Sequence, residues 1–123
     1  MVIVTDRKDY LVKTRVNIGH FFGAQPEDGF VELVEPDTFE TNRMTKASKE
    51  AQASGDSSAL MQHFRELLPK IIVDHTLYKT DTEKHTPEEV AGIIFAKVDL
   101  VSYVIDHYSK EVLFTLGKKS DES

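Results

Sequence analysis

The hydrophobic period changes once along the chain, and that change decides what the chain can fold into. Over residues 12–18, Val12, Thr14, Val16 and Ile18 alternate with Lys13, Arg15 and Asn17, the period-two pattern of a half-buried strand. Beyond Pro36, apolar residues recur at spacings of three and four, the period of a helix packed on one side. A chain of 123 residues with one such switch reads as a single α+β domain, residues 1–123. An N-terminal β-hairpin (the β-rich part, residues 1–36) packs on a helical part, residues 37–117, of about four helices. Residues 118–123 form a polar tail expected to fray.

The punctuation supports this division. Ala24-Gln25-Pro26-Glu27-Asp28-Gly29 is a turn cluster, with proline to set φ and Asp-Gly to permit positive φ. It separates the first strand from a second, Phe30-Val31-Glu32-Leu33-Val34. Asp37 or Thr38 then caps a weakly amphipathic helix over 39–53, with Phe39, Met44, Ala47 and Ala51 as its apolar stripe. Ser54-Gly55-Asp56-Ser57 breaks it and is the expected mobile point. A stronger helix covers 58–68, where Leu60, Met61, Phe64, Leu67 and Leu68 share a face, and Pro69 is expected to kink or end it. Residues 70–78 fit either a continued helix or an apolar strand. Thr86-Pro87-Glu88-Glu89 is a capping box with proline at the first helical position. Asp99 is expected to cap a final helix with a stripe of Leu100, Val101, Val104, Ile105, Tyr108 and Val112, closed by Gly117.

Composition removes several function classes. There is no cysteine, so disulfides, thiol catalysis and Cys-ligated zinc are excluded. The 15 Lys/Arg and 21 Asp/Glu give a net charge of −6. That charge divides evenly: residues 1–60 hold 7 − 10 = −3, and residues 61–123 hold 8 − 11 = −3. Neither half offers the cationic surface that nucleic acid or an anionic membrane requires. The longest stretch without polar side chains, 90–96, falls far short of the ~20 residues of a membrane span. Val2-Ile3-Val4 turns polar too soon to be a secretory signal. Other proteins, or further copies of the chain, are the expected partners.

Motifs for chemistry are sparse. His20, His63, His75, His85 and His107 are never three or four apart, and no HExxH is present. Glu88 and Glu89 are accounted for by the helix start. Asp81-Thr82-Glu83 lacks the ligand spacing of a calcium loop, and Gly19-His20-Phe21-Phe22-Gly23 is too short for a phosphate loop. No catalytic, cofactor or metal residue is therefore expected, and the chain reads as non-enzymatic. The alternative is a small enzyme or metal-dependent regulator in which Asp74, His75, Asp106 and His107 converge on one polar pocket; a generic bacterial adaptor is a third reading.

The apolar surplus is more informative. Phe21 and Phe22 are adjacent, so in a strand their rings point to opposite faces. Leu113, Phe114 and Leu116 widen the last helix's apolar arc beyond one face. These five residues either plug the core or present a patch to a partner, and they are the partner-binding candidates.

Four segments occur in a suggestive order: Phe30-Val31-Glu32-Leu33-Val34-Glu35-Pro36, Leu67-Leu68-Pro69-Lys70-Ile71-Ile72-Val73-Asp74-His75, Thr86-Pro87-Glu88-Glu89-Val90 and Ile94-Phe95-Ala96-Lys97-Val98-Asp99-Leu100. Together, over residues 30–116, they resemble the tail assembly chaperones of long-tailed phages and prophages. The resemblance implies a protein that coats the tape-measure protein, helps recruit tail-tube subunits and associates with copies of itself. It further implies action in the host cytoplasm, absence from the mature virion, and no cofactor. Members of the family often have a longer frameshifted product, and Leu116-Gly117-Lys118 is compatible with a slippery codon sequence.

Overall fold

The computed structural model describes residues 1–113, apart from the side chains of Lys8 and Leu113. The alternating segment forms strand β1, Lys13–Asn17, and pairs antiparallel with β2, Phe30–Val34. Their register sets Thr14 opposite Leu33 and Val16 opposite Val31. Val16, Val31 and Leu33 are fully buried, while Lys13 and Arg15 face solvent, as a period of two requires. On that outer face Arg15 lies 3.6 Å from Glu32 and stacks 3.9 Å above the Phe30 ring.

The hairpin does not stand alone. A third strand, β3 (Ile72–His75), joins the far side of β2 and gives the order β1-β2-β3. Ile72 pairs with Leu33 and Asp74 with Glu32, so Val73 is an extra residue that bulges the strand. The ambiguous 70–78 stretch thus holds both candidates in succession: helix to Ile71, then strand. A sheet strand therefore comes from the part of the chain that reads as helical.

Four helices complete the α+β fold. Helix α1, Thr38–Ser54, starts at Asp37, whose Oδ1 accepts the Glu40 N–H at 2.7 Å. Its inward line is Glu40, Met44, Ala47 and Ala51, not the expected stripe headed by Phe39, which is 68% exposed. The spacing of four, three and four selects Glu40 because Phe39 lies about 100° round the helix. Gly55 ends α1 in the left-handed region at φ +74°, and the Asp56 carboxylate then receives the Ser58 N–H and hydroxyl.

Helix α2, Ser58–Ile71, buries Phe64, Leu67, Leu68 and Ile71. It passes through Pro69 rather than ending there. Proline removes one donor near the C-terminus, and burial of Ile71 and Ile72 holds the remaining turn. Helix α3, Pro87–Phe95, shows both arms of the capping box: Glu89 N–H to Thr86 Oγ1 at 3.2 Å, and Thr86 N–H to Glu89 Oε1 at 2.9 Å. Helix α4, Val98–Tyr108, begins two residues earlier than expected; Lys97 precedes it without a side-chain cap, and Asp99 lies inside the first turn. It continues into a π-helical turn, Ser109–Leu113. The Gly117 stop and the 118–123 tail lie outside the described residues.

One apolar cluster runs through both parts of the chain, from Val16, Ile18, Val31 and Leu33 of the sheet to Phe64, Leu68, Ile94, Leu100 and Val104 of the helices. Tyr108 closes it. Its hydroxyl donates to the Val34 carbonyl at 2.9 Å, and its ring meets Phe64 edge-on at 6.0 Å. No described helix is long and apolar enough to cross a membrane.

Candidate interaction groove

Between the β1–β2 connection and the segment leading into α3 lies a cavity of about 310 Å³. Its first wall is built by glycine. Gly19–Phe22 and Pro26–Asp28 are two short 3-10 turns, joined through Gly23 at φ +77°. They fold so tightly that a Cβ on Gly19 would sit 2.0 Å from the Gln25 carbonyl oxygen, so only glycine fits. Gln25 and Asp28 hold the second turn by a reciprocal capping box.

The opposite wall is the excursion between β3 and α3. It doubles back on itself through a Tyr78–Lys84 bridge, with the Lys79 N–H on the Glu83 carbonyl at 2.8 Å and the His85 N–H on that of Leu77 at 3.0 Å. Leu77 and Ile93 supply apolar floor, and Thr76 a hydroxyl that receives the Phe30 N–H at 2.9 Å. Phe22 and Tyr78 flank the opening, 51% and 49% exposed. Two half-exposed rings across an apolar hollow are a feature of surfaces that take up protein side chains.

Histidine and ion pairs brace this wall. Buried His75 accepts the Leu77 N–H at Nδ1 (3.0 Å), which leaves Nε2 to donate to the His85 carbonyl at 2.8 Å. The ring is thereby fixed as the neutral Nε2–H tautomer. Burial pushes its pKa down, against the opposing effect of the His85 carbonyl. Lys79 reaches Glu89 at 2.8 Å. That bond, with the Thr86 N–H second, draws the Glu89 carboxyl down to about 2. Asp74 and Lys84 pair at 3.4 Å.

Phe21 and Phe22 do part company, but in a 3-10 turn rather than a strand. Phe21 is half-buried against Tyr103 at 5.4 Å and His20 at 4.5 Å, with the Lys97 ammonium 5.8 Å above the ring. Phe22 alone borders the groove. The two rings therefore do not make one patch. Leu113 contributes backbone to the π-helical turn; its side chain, with Phe114 and Leu116, lies outside the described residues. Tyr78 on the groove and Tyr103 against Phe21 are further exposed aromatics that the sequence did not single out. Tyr78 falls in the ambiguous stretch, and Tyr103 lies off the apolar stripe of α4.

Asp74, His75, Asp106 and His107 have separate engagements. The first two brace the wall just described, on β3. His107 shares a 3.1 Å contact with Thr14 of β1, across the sheet, and Asp106 pairs with Lys110 at 3.0 Å. The four thus have different partners on different elements. Among the described residues no three His, Asp or Glu side chains are grouped to hold a metal ion.

A second polar cluster joins α1 to α2. Buried Glu40 lies 3.2 Å from His63, 3.6 Å from Arg43 and 3.8 Å from Lys70. The His63 contact is an ion-pair distance without hydrogen-bond alignment. No protein-family model, curated protein or solved structure matches the chain.

Proposed function

We propose that the chain is a non-enzymatic tail assembly chaperone of a long-tailed phage or prophage. It binds helical segments of the tape-measure protein reversibly, helps recruit tail-tube subunits, and associates with copies of itself in the host cytoplasm without entering the mature virion. The ordered segments over residues 30–116 suggest the family. The observation that carries the reading further is the groove lined by Phe22 and Tyr78, both half-exposed, over the apolar Leu77 and Ile93. Helix-in-groove binding needs such apolar anchors, and many weak contacts along an extended partner add up through avidity.

The test is co-expression with the tape-measure protein encoded in the same phage. The wild-type chain keeps that protein soluble and co-purifies with it, and Phe22→Ser with Tyr78→Ser loses both effects while remaining folded by circular dichroism. A tape-measure protein equally soluble with and without the chain would overturn the reading.

A further inference from the structure

We infer that copies of this chain associate by β-addition, residues 1–4 of one copy forming an extra strand on the outer edge of β1 of the next. The inference rests on the self-association in the functional reading and names the contact that produces it.

The donor is the N-terminal segment. Val2, Ile3 and Val4 are β-branched or strand-favouring and carry no charge. They remain 88%, 71% and 56% exposed. The segment is not slack at its root: the Asp9 carboxylate accepts the Thr5 and Asp6 N–H groups at 3.2 and 3.0 Å. An apolar strand-former held out in this way has its backbone and side chains free for a partner.

The acceptor is β1. Its ladder to β2 uses alternate residues, with the Glu35 N–H on the Val12 carbonyl and the Ile18 N–H on the Gly29 carbonyl, both at 2.7 Å. In an antiparallel pair the intervening residues point their backbone groups the other way. Those are Lys13, Arg15 and Asn17, whose N–H and C=O groups have no partner among the described residues. Five residues of open edge match an arm of four. The opposite edge is blunted: the His75 N–H is taken by Asp74 at 2.8 Å and the Leu77 N–H by His75.

The chain's own arm is poorly placed to fill its own edge. The Arg7 guanidinium donates to the Lys70 carbonyl at 2.6 Å, and Lys70 leads α2 directly into β3. Arg7 thus ties the root of the arm to the α2–β3 junction, and residues 1–4 belong to no strand and stay exposed rather than lying on the edge of β1. A second copy faces no such constraint. Arms passed from each copy to the next generate an open row, and reciprocal exchange generates a closed dimer; both use the same contact.

Sedimentation velocity on the full chain over a range of concentrations tests this, comparing wild type with Ile3→Pro. Proline removes the central donor of the arm and touches nothing inside the fold, so its thermal unfolding stays at the wild-type value. The expected result is concentration-dependent association in wild type and its loss in Ile3→Pro. The natural absence of cysteine allows a direct check. An Ile3→Cys chain mixed with an Arg15→Cys chain forms a mixed disulfide on mild oxidation, and Lys49→Cys in place of the edge variant does not. Equal association of Ile3→Pro and wild type would overturn the arm contact while leaving self-association intact. A wild type that stays monomeric overturns both. A disulfide closing within one Ile3→Cys/Arg15→Cys double-variant chain overturns exchange between copies.

Discussion

Tyr108 lies wholly inside the core, with its hydroxyl on the Val34 carbonyl of β2 at 2.9 Å. Burial raises its pKa, and the Glu35 charge adds to that, so the hydroxyl keeps its proton and donates throughout the accessible range. Tyr108→Phe leaves a buried carbonyl without its donor, and chemical denaturation is expected to show a loss of about 1–2 kcal/mol. His75 makes the matching case for charge. Its folded pKa lies below the ordinary 6.5 because burial penalises the cation. The unfolded chain binds the proton first, so the contribution of neutral His75 is complete above pH 6.5. It is lost progressively as pH falls from there through the lowered folded value. Thermal unfolding of wild type is therefore expected to decline over that window more steeply than that of His75→Gln.

At the scale of elements, sequence punctuation and observed ends agree best where a side chain itself makes the terminus. Thr86 and Glu89 cap α3 as their spacing requires, and Asp37 caps α1. Thr86→Ala is expected to cost about 1 kcal/mol in denaturant unfolding. The same helix start contributes a pH dependence of opposite chemical origin to that of His75. Glu89 titrates at about 2 in the fold against an ordinary 4.5, chiefly through Lys79. Its contribution is present above about pH 4.5 and lost as pH falls through about 2. A carboxyl NMR titration reads the folded value directly, and Lys79→Met is expected to move it back up. Where termini depend on packing, the sequence misplaces them. Pro69 does not end α2, since one missing bond matters less than the burial of Ile71 and Ile72. Asp99, expected as the cap, lies two residues too far in, because α4 starts directly after Lys97.

Across the whole molecule the core is uneven. Helix α1 buries only Glu40 and Met44, whereas α2 and α4 bury four or more side chains each. Amide exchange is expected to be faster over Thr38–Ser54 than over α2 and α4, because few apolar contacts hold α1 in place; comparable protection would mean that the Glu40 cluster anchors it more firmly than its burial suggests. The change of hydrophobic period near Pro36 determined the two strands of the hairpin, the helical remainder and most of the buried stripe, since amphipathic spacing is a local property that each segment carries by itself. Tertiary structure alone decided that residues 72–75 become a third strand, because a short apolar run takes the conformation of whatever edge it meets, and β2 offered one. Helical spacing puts Glu40 rather than Phe39 on the inward line, but only tertiary structure decided what it meets there, Arg43 of its own helix and His63 and Lys70 of α2. The groove was equally unreadable, for Phe22, the Leu77-Tyr78 pair and Ile93 come from three separate stretches of the sequence and only the packing of two loops on α3 brings them to one hollow.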